Sequence, residues 1–267
     1  MIKLSALLLA ALSVNAADPN IDRIFNRLYD FHFAESQSLA AAYIETHPDD
    51  PMGYASLAAS FTFSEMNRLQ IFDKDMFTEE KQSGSGAARA GAEAKRAFED
   101  ALNRAKNSGS EALKKNSTDT NALLALLIAA GAERDFAALI EKRYKDSFYA
   151  AKASQAYALR LQAVDPDMAD PWFTRGFSEY LVGSMPAVVR WLMKIEMVDG
   201  NKQRGVDYME KCAQNGRYLK PFAQMMLATV YRKEKRFVDS RRMMQAFSSE
   251  HPLNQTVRNE LAKPPKS

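Results

Sequence analysis

The sequence predicts an all-α protein built of antiparallel helix pairs. Three observations carry this. In 267 residues there are only 11 Gly and 10 Pro, set among many helix-favouring Ala, Leu, Met, Lys, Arg and Glu. No β-branched alternating run is bounded by hairpin turns. Apolar residues recur three and four apart, in stretches separated by short breaks rich in Pro, Asp, Asn and Gly.

Met1-Ile2-Lys3 is a short positive start, and Leu4 to Val14 is an apolar run too short to span a bilayer. Val14-Asn15-Ala16 places small residues before a cut ahead of Ala17. The expectation is a bacterial-style signal peptide over 1–16 and one mature helical domain over 17–267. The mature chain would be exported to the periplasm or secreted, with no transmembrane segment left. No cysteine follows the apolar run, which disfavours a lipoprotein anchor.

Ile21 to Phe31 is the first expected helix, with Ile21, Ile24, Phe25, Leu28 and Tyr29 as one stripe, and Phe33 to Thr46 is its partner. Pro51 to Ile71 follows, with Pro at the favoured first position. Asp73 to Phe77 breaks the pattern; as a calcium loop it fails, because Phe77 stands where a ligand is needed. Ser83 to Gly86 is a flexible insertion loop, and 73–120 departs from any repeat spacing. Ala87 to Lys106 is an Ala-rich amphipathic helix, and Asn107 to Thr120 is polar with several cap and turn residues, although Glu111 to Lys115 could hold a short helix. Asn121 to Ala130 is apolar all round and hence a buried helix, stopped or closely approached at Gly131. Phe136 to Val164 is the longest expected helix. Pro171 to Val182, Ala187 to Val198 around Trp191, and Gln203 to Asn215 come next. Gln255 to Ala262 is a capping helix, and 263–267 a disordered tail.

Pro221 to Asn254 spans 34 residues and is the best-ordered stretch. Leu227 and Tyr231 are four apart and share a helix face. Ala228 and Ser240 are small where two helices approach, Met244 fills an aromatic position, and Pro252 closes the unit. Tyr54, Leu57, Ala58 and Phe61 repeat part of the spacing after His47 to Pro51, as do Trp172 and Gly176 after Asp170-Pro171. This pattern resembles the tetratricopeptide repeat. The resemblance implies a right-handed α-solenoid with a degenerate middle region, which binds protein or peptide segments on a concave face, with no catalysis and no cofactor.

Chemistry-bearing motifs point the same way. There is no Gly-rich phosphate loop, no His-Glu-x-x-His, no Gly-x-Ser-x-Gly and no cysteine pair. His32 and His47 are too isolated to nominate a metal site, and Cys212 sits as a small core residue. The formal charge of +3 hides an asymmetry: from 201 onward 14 Lys and Arg face 6 acids, while 17–200 carries 21 against 27. A basic last third could meet anionic partners, lipid headgroups or acidic peptides, the alternative being a solvated helix surface; nucleic acid is not expected in an exported compartment.

In a repeat array of this kind the first helix of each pair lines the concave face. That places Phe173, Phe177 and Tyr180 on one stripe and Thr229, Arg232 and Lys233 on the matching stripe of the last repeat. These six are the expected partner-binding residues, the alternative being that the aromatics are core. A second reading makes the chain a binding protein for an apolar small molecule, serving a transporter. A closed helical ring would then use Trp172, Phe173, Phe177, Trp191 and the Met-rich last repeat to line an enclosed apolar cavity of several hundred cubic ångströms.

Overall fold

The computed structural model describes residues 19–72, 90–186 and 198–264. The expected signal peptide, the Asp73–Phe77 break, the Ser83–Gly86 loop and Trp191 lie outside the described residues.

The helices are α1 (Pro19–Tyr29), α2 (Phe33–Thr46), α3 (Pro51–Arg68), α4 (Ala92–Lys115), α5 (Thr120–Asp135), α6 (Tyr144–Val164), α7 (Asp170–Ser184), α8 (Lys202–Asn215), α9 (Lys220–Lys233), α10 (Phe237–Glu250) and α11 (Gln255–Ala262). Side-chain caps set several starts. Asp50, Asp119, Asn201 and Asn254 each accept an N–H from the first turn, at 2.9, 2.9, 2.9 and 3.0 Å. Among the described residues no helix is long and apolar enough to cross a membrane.

Several boundaries differ from the sequence expectation. The helix expected over 136–164 is divided. Phe136–Ile140 widens into a π turn and Lys142 takes a left-handed φ of 58°, so the chain reverses there. α5 in turn runs through Gly131 to Asp135. The polar stretch after Lys106 is helical as far as Lys115, with Glu111, Lys114 and Lys115 on its exposed side.

Neighbouring helices pack as pairs: α1 with α2, α3 with α4, α5 with α6, α7 with α8 and α9 with α10. Each even helix also meets the next odd one, and the odd helices pack on one another in order from α1 to α9. This is a solenoid with an inner layer of odd helices and an outer layer of even ones.

The first and last pairs repeat each other closely. Phe31 and Lys235 take left-handed φ values of 63° and 60°. The next N–H closes back five residues in each case, His32 to Arg27 O at 2.9 Å and Arg236 to Tyr231 O at 2.7 Å. Ser36 donates to Ile24 O at 3.0 Å, and Ser240 donates to Ala228 O at 2.7 Å, where the paired helices cross. His47-Pro48 and His251-Pro252 end the two second helices.

The solenoid closes on itself. Asp22 at the start of α1 holds the Arg217 guanidinium by two bonds, at 2.8 and 2.5 Å. The Phe25 and Tyr218 rings lie 4.8 Å apart. The Tyr29 hydroxyl donates to Tyr218 O at 2.8 Å, and Asn254 Nδ2 donates to Tyr29 O at 2.8 Å. The inner layer is thus a ring of α1, α3, α5, α7 and α9. Its centre is filled by aromatics: Phe222 packs on Phe63 at 5.2 Å and on Phe173 at 4.9 Å, and Tyr29 stands edge-on to Phe63 at 5.7 Å.

Candidate functional site

Among the described residues, three concavities stand out around this ring. The first is its interior, a space of about 40 Å³ among Tyr29, Thr62, Phe63, Phe173, Thr174 and Phe222. That holds a water molecule or two. It is far below the several hundred Å³ of the small-molecule reading, because the ring closes tightly enough for its aromatics to touch.

The second is a polar mouth of about 540 Å³ where the inner helices begin, lined by Asp50, Asp119, Asp170 and Arg217 among others. Three of its acids, Asp50, Asp119 and Asp170, are engaged within the fold. Asp50 caps α3 and accepts from Tyr43 Oη and Asn121 Nδ2 at 2.5 and 2.8 Å. Buried Asp170 accepts the N–H groups of Arg217, Tyr218 and Leu219 at 2.9, 2.8 and 2.6 Å. Burial pushes its carboxyl above the ordinary value, and the backbone donors pull it back. This carboxylate, at the start of α7, holds the turn that leads into α9.

The third is a groove of about 400 Å³ between α10 and α11. Its floor is Phe237, Val238, Met244 and Pro264, with Val238 84 % exposed. Its rim carries Arg232, Arg241, Arg242 and Lys263. The rim is fixed from within. Arg232 pairs with Glu260 at 2.6 Å, Lys263 Nζ with the same carboxylate at 2.6 Å, and Arg242 with Asp239 at 2.9 Å. Arg241 donates to Leu261 O and Lys263 O at 2.7 and 3.3 Å, capping the C-terminal end of α11. Four cations face two carboxylates, so the rim keeps a positive surplus.

The six residues expected at a partner site are scattered. Phe173 is buried in the ring's aromatic centre. Phe177 stacks on it at 5.9 Å and lies 4.7 Å under the Arg134 guanidinium, which is itself paired with Asp135. Tyr180 is half-buried, its phenol raised by burial and by Glu234. Thr229 is buried and donates to Met225 O at 3.1 Å. Arg232 turns toward α11 and Lys233 is exposed. The two stripes therefore do not form one open face, because ring closure covers the inner surface that both were assigned to. Of the six, Arg232 lines the groove. Val238, Arg241, Arg242 and Lys263, which line the same groove, were not among the expected residues; the basic excess of the last third was the available signal.

Other reactive groups are held quiet. Cys212 is buried, and burial pushes its thiol well above the ordinary range, the reverse of an activated nucleophile. The Tyr231 hydroxyl is raised by burial and donates to Glu210. Among the described residues no group of three His, Cys, Asp or Glu is placed to hold a metal ion.

No protein-family model matches the chain, and no curated protein sequence matches it. Among solved structures it is similar to a thermophilic TPR protein of Thermus thermophilus, with 15 % identity and a TM-score of 0.47. The similarity spans 92 % of this chain and 97 % of that one. It concerns the fold alone.

Proposed function

We propose that the protein is a non-catalytic binding module that takes an acidic, apolar-faced segment of a protein partner in the groove between α10 and α11. The observation that carries this is the groove's composition, an apolar floor inside a rim with surplus positive charge. A segment with alternating apolar and carboxylate groups satisfies both, since apolar contact supplies affinity and the rim supplies register and encounter rate. The closed interior supports this choice of surface over the concave face. The expected export signal makes an envelope or secreted partner the natural setting.

The test uses fluorescence anisotropy with a labelled amphipathic peptide carrying Glu on its polar face, and the same peptide with Lys for Glu. The acidic peptide is expected to bind, more weakly as salt rises. The Val238→Asp/Arg242→Glu variant should weaken it by roughly tenfold, about 1.4 kcal/mol. Both positions are solvent-facing, so the variant should keep its circular dichroism. Equal binding of the Lys peptide, or unchanged affinity in a folded variant, would overturn the proposal.

A further inference from the structure

His47 and His251 occupy the same place in the first and last pairs. Each ends a second helix, bonds its N–H back to an aromatic residue (Tyr43 O, Phe247 O), and stacks beside that ring at 4.3 and 5.0 Å. Their surroundings differ. His47 is exposed, whereas His251 is only 3 % exposed because α1 closes over it. The Tyr29 ring lies 5.6 Å away on that side, and Asp30 Oδ1 lies 3.5 Å from Nδ1. Three residues later Asn254 donates to Tyr29 O, so the His251 turn and the seam are one rigid piece.

We propose that the seam between α1 and the last unit is a latch that acid loosens, with His251 as its titrating part. The charged groups that act on the imidazole come from three helices. Asp30 faces it from the end of α1 and is shared with Arg27 at 3.3 Å. Glu250 comes from α10, and Lys220, from α9, pairs with Glu250 at 2.8 Å. The Tyr29 phenol is raised by burial and adds no charge. Burial disfavours the imidazolium; Asp30 and Glu250 favour it and Lys220 opposes it, and burial prevails, holding the ring below its ordinary 6.5. The sign follows. With the closed-state value below the open-state one, closure is unaffected above about pH 6.5. It is then penalised as pH falls through 6.5 toward the lower value. One proton limits the effect to about tenfold in the opening equilibrium per pH unit. Release of α1 would free the Asp22–Arg217 pair and uncover Phe25, Tyr29 and Tyr218 together. The first pair would swing away and the ring would become an open solenoid.

The test is hydrogen exchange of the α1 amides between pH 7.5 and 4.5, corrected for intrinsic rates and referenced to α5. Protection of α1 should fall progressively below about pH 6.5 while α5 holds. In His251→Gln that pH response should vanish, whereas Asp22→Ala should lower protection by the same factor at every pH. A pH response unchanged in His251→Gln, or flat protection in the wild type, would overturn the proposal. Should His251→Gln not fold, the imidazole proton shifts of the wild type decide. His251 must titrate below 6.5, in step with the loss of α1 protection, and titration above 6.5 would refute the latch.

Discussion

A close helix contact between the inner and outer layers gives a sharp prediction. α7 and α8 cross at Gly176 and Gly205, backbone against backbone. A Cβ added at Gly205 would lie 2.6 Å from Tyr180 N and 2.7 Å from Gly176 O, where ordinary contact begins at 3.4 Å. Both obstacles are main chain and cannot rotate away, so the helices must separate by several tenths of an ångström. Overpacking of this kind costs about 1–3 kcal/mol, and the better helix propensity of Ala returns about 1 kcal/mol. With immovable obstacles the upper range applies, and Gly205→Ala should lose about 2 kcal/mol. Gly131 in α5 is the control, because nothing lies within 4 Å of its Cβ position. Gly131→Ala should gain about 1 kcal/mol. In thermal unfolding the first variant should lose about 4–8 °C and the second gain about 2–4 °C. A Gly205→Ala protein as stable as the wild type would refute the close crossing, and with it the packing of the α7–α8 pair.

Asp170→Ala leaves three backbone N–H groups at the start of α9 without their acceptor, and should cost about 3–5 kcal/mol in urea unfolding. Tyr29→Phe removes the donor to Tyr218 O and should cost about 1–2 kcal/mol while speeding exchange in α1. Burial raises the Glu260 carboxyl, but Lys263 and Arg232 outweigh it and hold the group below its ordinary 4.5. Its stabilisation is therefore present above pH 4.5 and lost as pH falls through the lower value, so α11 should gain exchange selectively below about pH 4.5. Cys212 should react with a thiol reagent at pH 8 only at the rate of opening, and a burst of labelling in the native protein would contradict its burial.

Much of the fold was legible because it is local. Asp50 and Asn254 sit at helix starts, Pro51, Pro171 and Pro221 fall in first turns, and Leu227 with Tyr231 marks the inner face of α9. Ala228 and Ser240 were read as a close crossing, and the Ser240 hydroxyl on Ala228 O is that crossing. The equivalent Ser36 on Ile24 O went unread, because the first unit was taken only as two amphipathic helices. The reversal at Lys142 was not legible: apolar spacing continues through Phe136–Ile140, and nothing marks a lysine as left-handed. The small-molecule reading supposed a closed helical ring, but the residues that close it were beyond the sequence. Tyr29, Arg217, Tyr218 and Asn254 look like ordinary repeat positions, and their partners lie 189 to 225 residues away, outside any periodicity. With the ring closed, Phe173 and Thr229 are buried, Phe177, Tyr180 and Arg232 are half-buried, Lys233 is exposed, and Arg232 lines the groove.

The most direct test of the account is hydrogen exchange of the protein with and without the acidic amphipathic peptide at neutral pH. Protection gained across 232–245 and 258–264, with 19–30 and 171–180 unchanged, is the predicted result. Protection gained instead in α1, α7 and α9 would mean that the peptide enters the ring's inner face, and would contradict both the closed interior and the groove as the docking surface.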